Sequence, residues 1–257
     1  MEELDGDDDR LGQRRNLIGM SAALWSRHGE HEVLRGCWKA LSGAPSVDYN
    51  LLVCHSSDPD AVKRSVDAVA AAHCQAEIVL AGPGLANAQI LSDAGWVCIG
   101  TAPIMVLEGI GARTFVSDPE VSIAGPEDLP GVWDKMGQTF GVDSSLARVA
   151  IPEDVFDTQG QNVWKLSVER EIRACVATVV VGKSVMIWSM ATLPQWQHRG
   201  YGRRLLTTAL MQSAGQGVTE SILYASPAGE PLYRSLGYQT TEYWQMWSRP
   251  RWVLGRT

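Results

Sequence analysis

Residues 185–193 are apolar with little polar interruption and predict a buried strand. Pro194 ends it, because proline has no N–H to give to a sheet ladder. After a turn carrying Gly200 and Gly202, Leu205, Leu206, Ala209 and Leu210 return at helical spacing over 201–214. Nearer the N-terminus, Leu17, Ile18, Ser21, Leu24 and Trp25 predict an amphipathic helix over residues 11–27, broken at Gly29. Val33, Leu34, Cys37, Trp38 and Leu41 predict a second helix, stopped by Gly43 and Pro45. A strand is expected at 49–54. A third helix follows along Val62, Val66, Val69, Ala70 and His73, capped by Asp58 with Pro59 at its first position. Residues 77–81 read as a strand, 87–93 as a short helix after a Gly-Pro-Gly loop, and 96–107 as extended chain.

Gly109, Gly111, Asp118 and Pro119 mark a loop-rich junction. Beyond it, a first strand near Val121 leads to Pro126, Glu127 and Asp128, whose two carboxylates suit the first turn of a helix. Leu129, Val132, Trp133, Met136 and Phe140 supply that helix's buried stripe, and a less regular helical region covers 144–156. Strands at 163–168 and 172–181 form a hairpin turning at 169–171 and lead into the strand at 185. A strand at 221–225, a short helix at 229–236 and extended chain at 238–247 complete the series.

The order of elements from 185 to 247 repeats that of residues 49–107. Ser-Asp-Ala-Gly-Trp at 92–96 resembles Arg-Ser-Leu-Gly-Tyr at 234–238. An internal duplication of roughly 120 residues is therefore expected. The halves differ where chemistry belongs. The first has His-Ser-Ser-Asp-Pro at 55–59 in place of the glycine turn, and Leu91 in place of Tyr233.

Composition narrows the function classes. With 45% hydrophobic and 20% charged residues the chain reads as soluble and globular, and its 257 residues suit two domains of ordinary size. A net charge of −7 disfavours nucleic acid or an anionic membrane as the main partner. Glu2, Glu3, Asp5, Asp7, Asp8 and Asp9 form an acidic run, expected to be a disordered tail over 1–10 and unlike a secretory signal. No apolar run has the length of a membrane span. Five scattered cysteines without a C-x-x-C pair read as reduced core residues of a cytoplasmic protein. His28 and His31 near Cys37 match no zinc spacing, so no metal site is expected.

The chemistry gathers at Gln197-x-x-Gly200-x-Gly202, set between a strand and a helix start. Free backbone N–H groups and the positive end of a helix dipole make such a turn an anion site, best suited to phosphate. With Pro194 three residues before Gln197 and the Leu205-Leu206 pair after it, the segment resembles the acyl-CoA loop of the GNAT superfamily of N-acetyltransferases. The opening strand and Pro-Glu-Asp helix start near 121–129 resemble that family too. His198 and Arg204 depart from its usual pattern, and neither removes a backbone donor.

The resemblance covers about residues 119–249 and implies an α/β (α+β) fold, a mixed sheet flanked by helices, in two related halves. It implies a degenerate GNAT-like half at 11–117 and an acetyl-CoA-binding GNAT domain at 118–257. It places the cosubstrate acetyl-CoA on Ala191, Thr192, Leu193, Gln197, His198, Arg199, Gly200, Tyr201, Gly202, Arg203 and Ser226. Ser226 stands where the family often has Asn. Leu-Tyr-Arg-Ser-Leu-Gly-Tyr at 232–238 resembles the family segment whose tyrosine protonates the leaving thiolate, which points to Tyr233 as the catalytic acid. A base is not apparent: Glu169, Glu171, Asp154 and His198 are the candidates, and positioning with carbonyl polarisation by a strand N–H can carry much of the rate.

The implied activity is transfer of an acyl group to an amine-bearing small molecule or peptide by direct attack. A non-catalytic acyl-CoA sensor on the same fold is the alternative. A dinucleotide-binding reading fails for want of a third glycine and of an acidic residue ending the next strand. Of ten tryptophans, Trp164, Trp188, Trp196 and Trp244 are expected in or beside the cleft, most as core packing, with Trp196 nearest a ligand.

Overall fold

A computed structural model describes residues 2–22, 29–34, 36–72 and 74–253. Leu24, Trp25, His28 and His73 lie outside the described residues. In chain order the elements are α1 (Glu2–Ser21), β1 (Glu30–Leu34), β2 (Cys37–Leu41), β3 (Asn50–Cys54), α2 (Pro59–Ala71), β4 (Glu77–Leu80), α3 (Ala88–Asp93) and β5 (Val97–Glu108). There follow β6 (Val121–Ile123), α4 (Leu129–Phe140), α5 (Ser144–Ala150), β7 (Gln161–Val168), β8 (Glu171–Val181) and β9 (Ser184–Thr192). The chain closes with α6 (Tyr201–Gly215), β10 (Glu220–Tyr224), α7 (Glu230–Ser235), β11 (Gln239–Ser248) and α8 (Pro250–Val253).

By compactness the chain divides into Met1–Ile104 with Thr240–Thr257, and Met105–Gln239. A cut into 11–117 and 118–257 therefore misplaces the last strand, which closes the first unit. The reason is pairing: Gln245, Met246 and Trp247 of β11 lie antiparallel to Leu80, Val79 and Ile78 of β4.

In the first unit the sheet order is β1-β2-β3-β4-β11-β5. Here the helix expected along Val33, Leu34, Cys37, Trp38 and Leu41 is instead the hairpin of β1 and β2, with Leu34 opposite Cys37. Both faces of β2 are covered, so four of its five residues are buried and the alternation that marks a strand is lost. Gly36, at φ +70°, supplies the left-handed residue of the tight turn. The acidic run also departs from expectation: the backbone of α1 is helical from Glu2 on. α2 forms as its signals dictate, with Pro59 at its start and the Asp58 carboxylate accepting the Asp60 N–H at 3.0 Å. Val62, Val66 and Val69 of α2 pack with Leu52, Ile78, Leu80, Leu91 and Trp96 in the core.

In the second unit the order is β5-β10-β9-β8-β7-β6. β6, β7, β8 and β9 are successively antiparallel, and β9 and β10 are parallel. A parallel neighbour needs a crossover, which α6 provides. Leu205, Leu206, Ala209 and Leu210 of α6 are fully buried with Val185, Ile187, Leu166 and Val176; each such leucine contributes about 1.5–3 kcal/mol. α4 starts where Asp128 accepts the Gly125 N–H at 2.8 Å and pairs with Lys165, anchoring the helix to β7. Burial would raise the Asp128 carboxyl, but the Lys165 and Gly125 bonds hold it below its ordinary range.

Candidate active site

The site forms at the C-terminal end of β9, where two parallel strands part. Pairing with β10 runs from Ser184 opposite Glu220 to Ile187 opposite Leu223 and goes no further, while β9 continues to Thr192. On the other side of β9 the register against β8 slips: Ala177 faces Trp188 and Cys175 faces Ala191, so Val176 stands opposite both Ser189 and Met190. This is a β-bulge, and Ser189 takes its left-handed position at φ +52°. The bulge turns β9 as it leaves β10, so the β10-facing edge from Ser189 onward meets no strand in the register. Such an edge presents main-chain donors to a bound group.

The loop after β9 reverses the chain through a 3-10 turn at Pro194–Trp196 and two left-handed residues, His198 at φ +59° and Gly200 at φ +80°. Gln197 braces it by donating from Nε2 to Thr192 O at 3.1 Å. Gly200 caps α6 without a side chain, and the first main-chain bond into it runs from Arg204 N to Gly200 O at 3.0 Å. The N–H groups of Tyr201, Gly202 and Arg203 therefore precede the helix's own bonding ladder. A Cβ on Gly200 would meet nothing within 4 Å, whereas one on Gly202 would stand 3.1 Å from Met190 Cε and 3.2 Å from Leu232 Cδ2. The first glycine serves the turn; the second lets the helix start lie against β9 and α7.

Tyr233, in α7, is 7% exposed and donates to Met190 Sδ at 3.6 Å. A thioether is a weak acceptor, so the phenol proton is held for a better one. Burial pushes the phenol up to about 12, so it stays protonated at neutral pH. Its ring packs edge-on against Tyr238 at 5.7 Å, which fixes the hydroxyl's direction.

The structure thus brings together Ala191, Thr192, Leu193, the loop 197–203 and, through Met190, Tyr233. Among these, Arg203 is engaged: its Nη2 donates to Ser235 Oγ at 2.6 Å. Ser226 Oγ accepts from Gly229 N at 3.2 Å and helps to start α7. Arg204 binds Asp118 at 2.6 and 3.1 Å and also Glu120, tying α6 to the chain before β6. Of the base candidates, Glu171 binds Arg173 at 2.8 Å and Glu169 lies 3.8 Å from it. Asp154 sits in the 3-10 turn Glu153–Asp157, and His198 is exposed in the loop.

Three features escape sequence reasoning. Ser189 carries no mark of its bulge, and Met190 reads as one more apolar strand residue. The third is the stack at Trp196, whose ring lies under Arg173 at 3.7 Å and Arg199 at 4.6 Å; only the run of aromatic and basic residues hinted at it. Trp164 is core, bonded to Thr178 at 3.0 Å, and Trp188 is half-buried where β9 leaves β10. Trp244 belongs to β11 in the first unit rather than to the cleft.

No curated protein sequence matches the chain. Residues 159–240 match the acetyltransferase (GNAT) domain family. A GCN5-related N-acetyltransferase from Kribbella flavida shares the fold with a TM-score of 0.65 at 18% identity, over 90% of this chain and 95% of that one. A putative GNAT acetyltransferase from Novosphingobium aromaticivorans gives 0.56 at 14% identity, over 85% and 91%. A GCN5-related N-acetyltransferase from Sphaerobacter thermophilus gives 0.57 at 12% identity, over 82% and 76%. The chain has the GNAT fold, and its residues 159–240 match the GNAT acetyltransferase domain family.

Proposed function

We propose that the protein is an acetyl-CoA-dependent N-acetyltransferase that moves an acyl group to an amine on a small molecule or peptide, in the cytoplasm. The observation that carries this reading is the parting of β9 from β10 at Ile187, beside a helix start capped only by Gly200. The residues fit the cosubstrate by their own chemistry. Main-chain N–H groups at 198–203 suit the pyrophosphate, and Arg199, held against Trp196, adds positive charge. The open edge of β9 suits the amide groups of a pantetheine arm and the thioester carbonyl. Tyr233, protonated and turned towards Met190 of β9, gives its proton to the thiolate as it leaves. Acyl transfer then rests on holding amine and thioester together.

The first half is proposed to be a degenerate GNAT-like scaffold without this site. β3 and β4 stay paired to their ends, Cys54 opposite Leu80, and Ala81 N then donates to Cys54 O at 2.9 Å. The turn after β4 lies over that end: a Cβ on Gly84 would stand 2.1 Å from Cys54 O. The α2 start already holds the Asp58 carboxylate, where α6 holds none. Calorimetry with acetyl-CoA, followed by a screen for thiol release across amine classes, tests the whole reading. One site per chain and thiol release with some amine are expected. Two sites would refute the degenerate half. Binding without release from any amine would leave the sensor reading, and no binding would refute both.

A further inference from the structure

Cys37 on β2 and Cys54 on β3 face each other across the first unit's sheet. His55 N donates to Gly36 O at 2.8 Å and Ser42 N to Tyr49 O at 3.1 Å, so the hydrogen-bonded pairs of this ladder are Gly36–His55 and Ser42–Tyr49, with those of the same parity between. Cys37–Cys54 is therefore a non-hydrogen-bonded pair, the kind in which opposing Cα atoms come to about 4.5 Å and side chains lie closest, within the span a disulfide needs. Both side chains are fully buried in the core under α2, packed with Val62, Val66 and Val69. Both stand as free thiols here, together with Cys74, Cys98 and Cys175.

We infer that Cys37 and Cys54 are a reversible modification site, a dithiol that a low-molecular disulfide such as oxidised glutathione closes into a cross-strand disulfide. Cys37 is the attacking group. The neighbouring Cys54 side chain lowers its thiol, while Cys37 and burial raise that of Cys54. The Cys37 thiolate attacks one sulfur of the reagent and expels a thiolate, leaving a mixed disulfide. Cys54 then loses its proton and attacks the Cys37 sulfur, expelling the second thiol. Two protein S–H bonds are lost and one S–S bond is formed; the reagent takes up two electrons and two protons and leaves as two thiols. Because α2 covers the pair, the reaction waits on local opening of this helix and is slow in the closed protein.

The full chain is incubated in glutathione buffers of graded ratio, with and without urea below the unfolding transition, then quenched in acid, alkylated and digested with trypsin. Cleavage after Arg35, Lys39 and Lys63 puts Cys37 in residues 36–39 and Cys54 in residues 40–63, so the linked product is unambiguous. The expected result is that linked product, short of two hydrogens, rising with the oxidised fraction, faster in urea, and reversed by dithiothreitol. Oxidation should raise the thermal midpoint by several degrees, through constraint of the unfolded chain. Cys54→Ala should lose both effects, while Cys98→Ser should lose neither. The inference is overturned if both cysteines stay alkylatable at every ratio with urea present, or if either links only to Cys74 or Cys98. Mapping the unmutated chain decides this even if Cys54→Ala fails to fold.

Discussion

Arg15 and Glu242, 227 positions apart, meet in an ion pair almost closed to water, with Nε of the arginine 3.0 and 3.1 Å from the two carboxylate oxygens. Nη2 adds a third bond, and Trp244 Nε1 donates to the same carboxylate at 3.1 Å. Gly82 makes room for the pair: its Cβ would fall 2.3 Å from Arg15 Cζ. Glu242→Leu, which leaves the arginine buried and uncompensated, should cost about 3–5 kcal/mol in urea unfolding. Arg15→Met with Glu242→Leu together should cost far less, since both charges are gone. Equal losses would mean that the pair itself, and not the orphaned charge, sets stability.

Gly200 separates geometry from charge. Asn and Asp both tolerate the left-handed region, so Gly200→Asn should keep most acetyl-CoA affinity. Gly200→Asp sets a carboxylate over the same N–H groups and should weaken binding at least tenfold, read by calorimetry. Similar affinities for the two variants would remove the loop from the phosphate site.

Tyr233→Phe keeps the ring and its packing. Turnover should fall roughly 10²-fold with acetyl-CoA affinity little changed, because the hydroxyl acts as charge develops on sulfur. With the phenol pushed up to about 12, its proton is retained across the ordinary working range. An alkaline fall in kcat below about pH 10 should therefore be the same in the two proteins. Near-normal turnover of the variant, with chemistry rate-limiting, would remove Tyr233 from the reaction.

Ser189 should accept glycine and reject valine. At φ +52° a β-branched residue is strained by about 1–2 kcal/mol, and relief of that strain would straighten the bulge. Ser189→Gly should keep turnover, while Ser189→Val should lose turnover more than acetyl-CoA affinity. The reverse order would show that the bulge serves binding alone.

Asp118 predicts an acid limb of stability. The Arg204 guanidinium holds its carboxyl below the ordinary range. A lowered folded value means stability that is present above the unfolded value of about 3.9 and lost as pH falls through the folded one. Asp118→Asn should lower the thermal midpoint at pH 7 and leave it flatter below about pH 4 than in the parent. Parallel curves would show that Asp118 contributes nothing through its charge.

Local signals carried much of the fold. Asp58 and Pro59 announced α2, Pro126 to Asp128 announced α4, and the run into Pro194 gave β9, its loop and α6. These were legible because each cause lies within one turn of its effect. β1 and β2 were not, since burial on both faces of β2 replaced alternation with a spacing that mimics a helix. Pairing of β11 with β4 depends on partners far apart in the chain, which no window of sequence contains. At the candidate site, the glycine turn before α6 and the place of Tyr233 on a short helix could be read from residue types. The left-handed Ser189 could not, because the strain belongs to the sheet and not to serine.

The exchange of last strands sets an order of assembly. β4 waits for β11, while β10 takes β5, which is already made. Domains ordinarily fold as they leave the ribosome, N-terminal first. Here the second unit has every strand of its sheet by Tyr224, and the first lacks one until Ser248 has emerged. The half that begins synthesis is the last to close, and a chain arrested a few residues after Tyr238 would expose the unfinished edge of β4 to other strands.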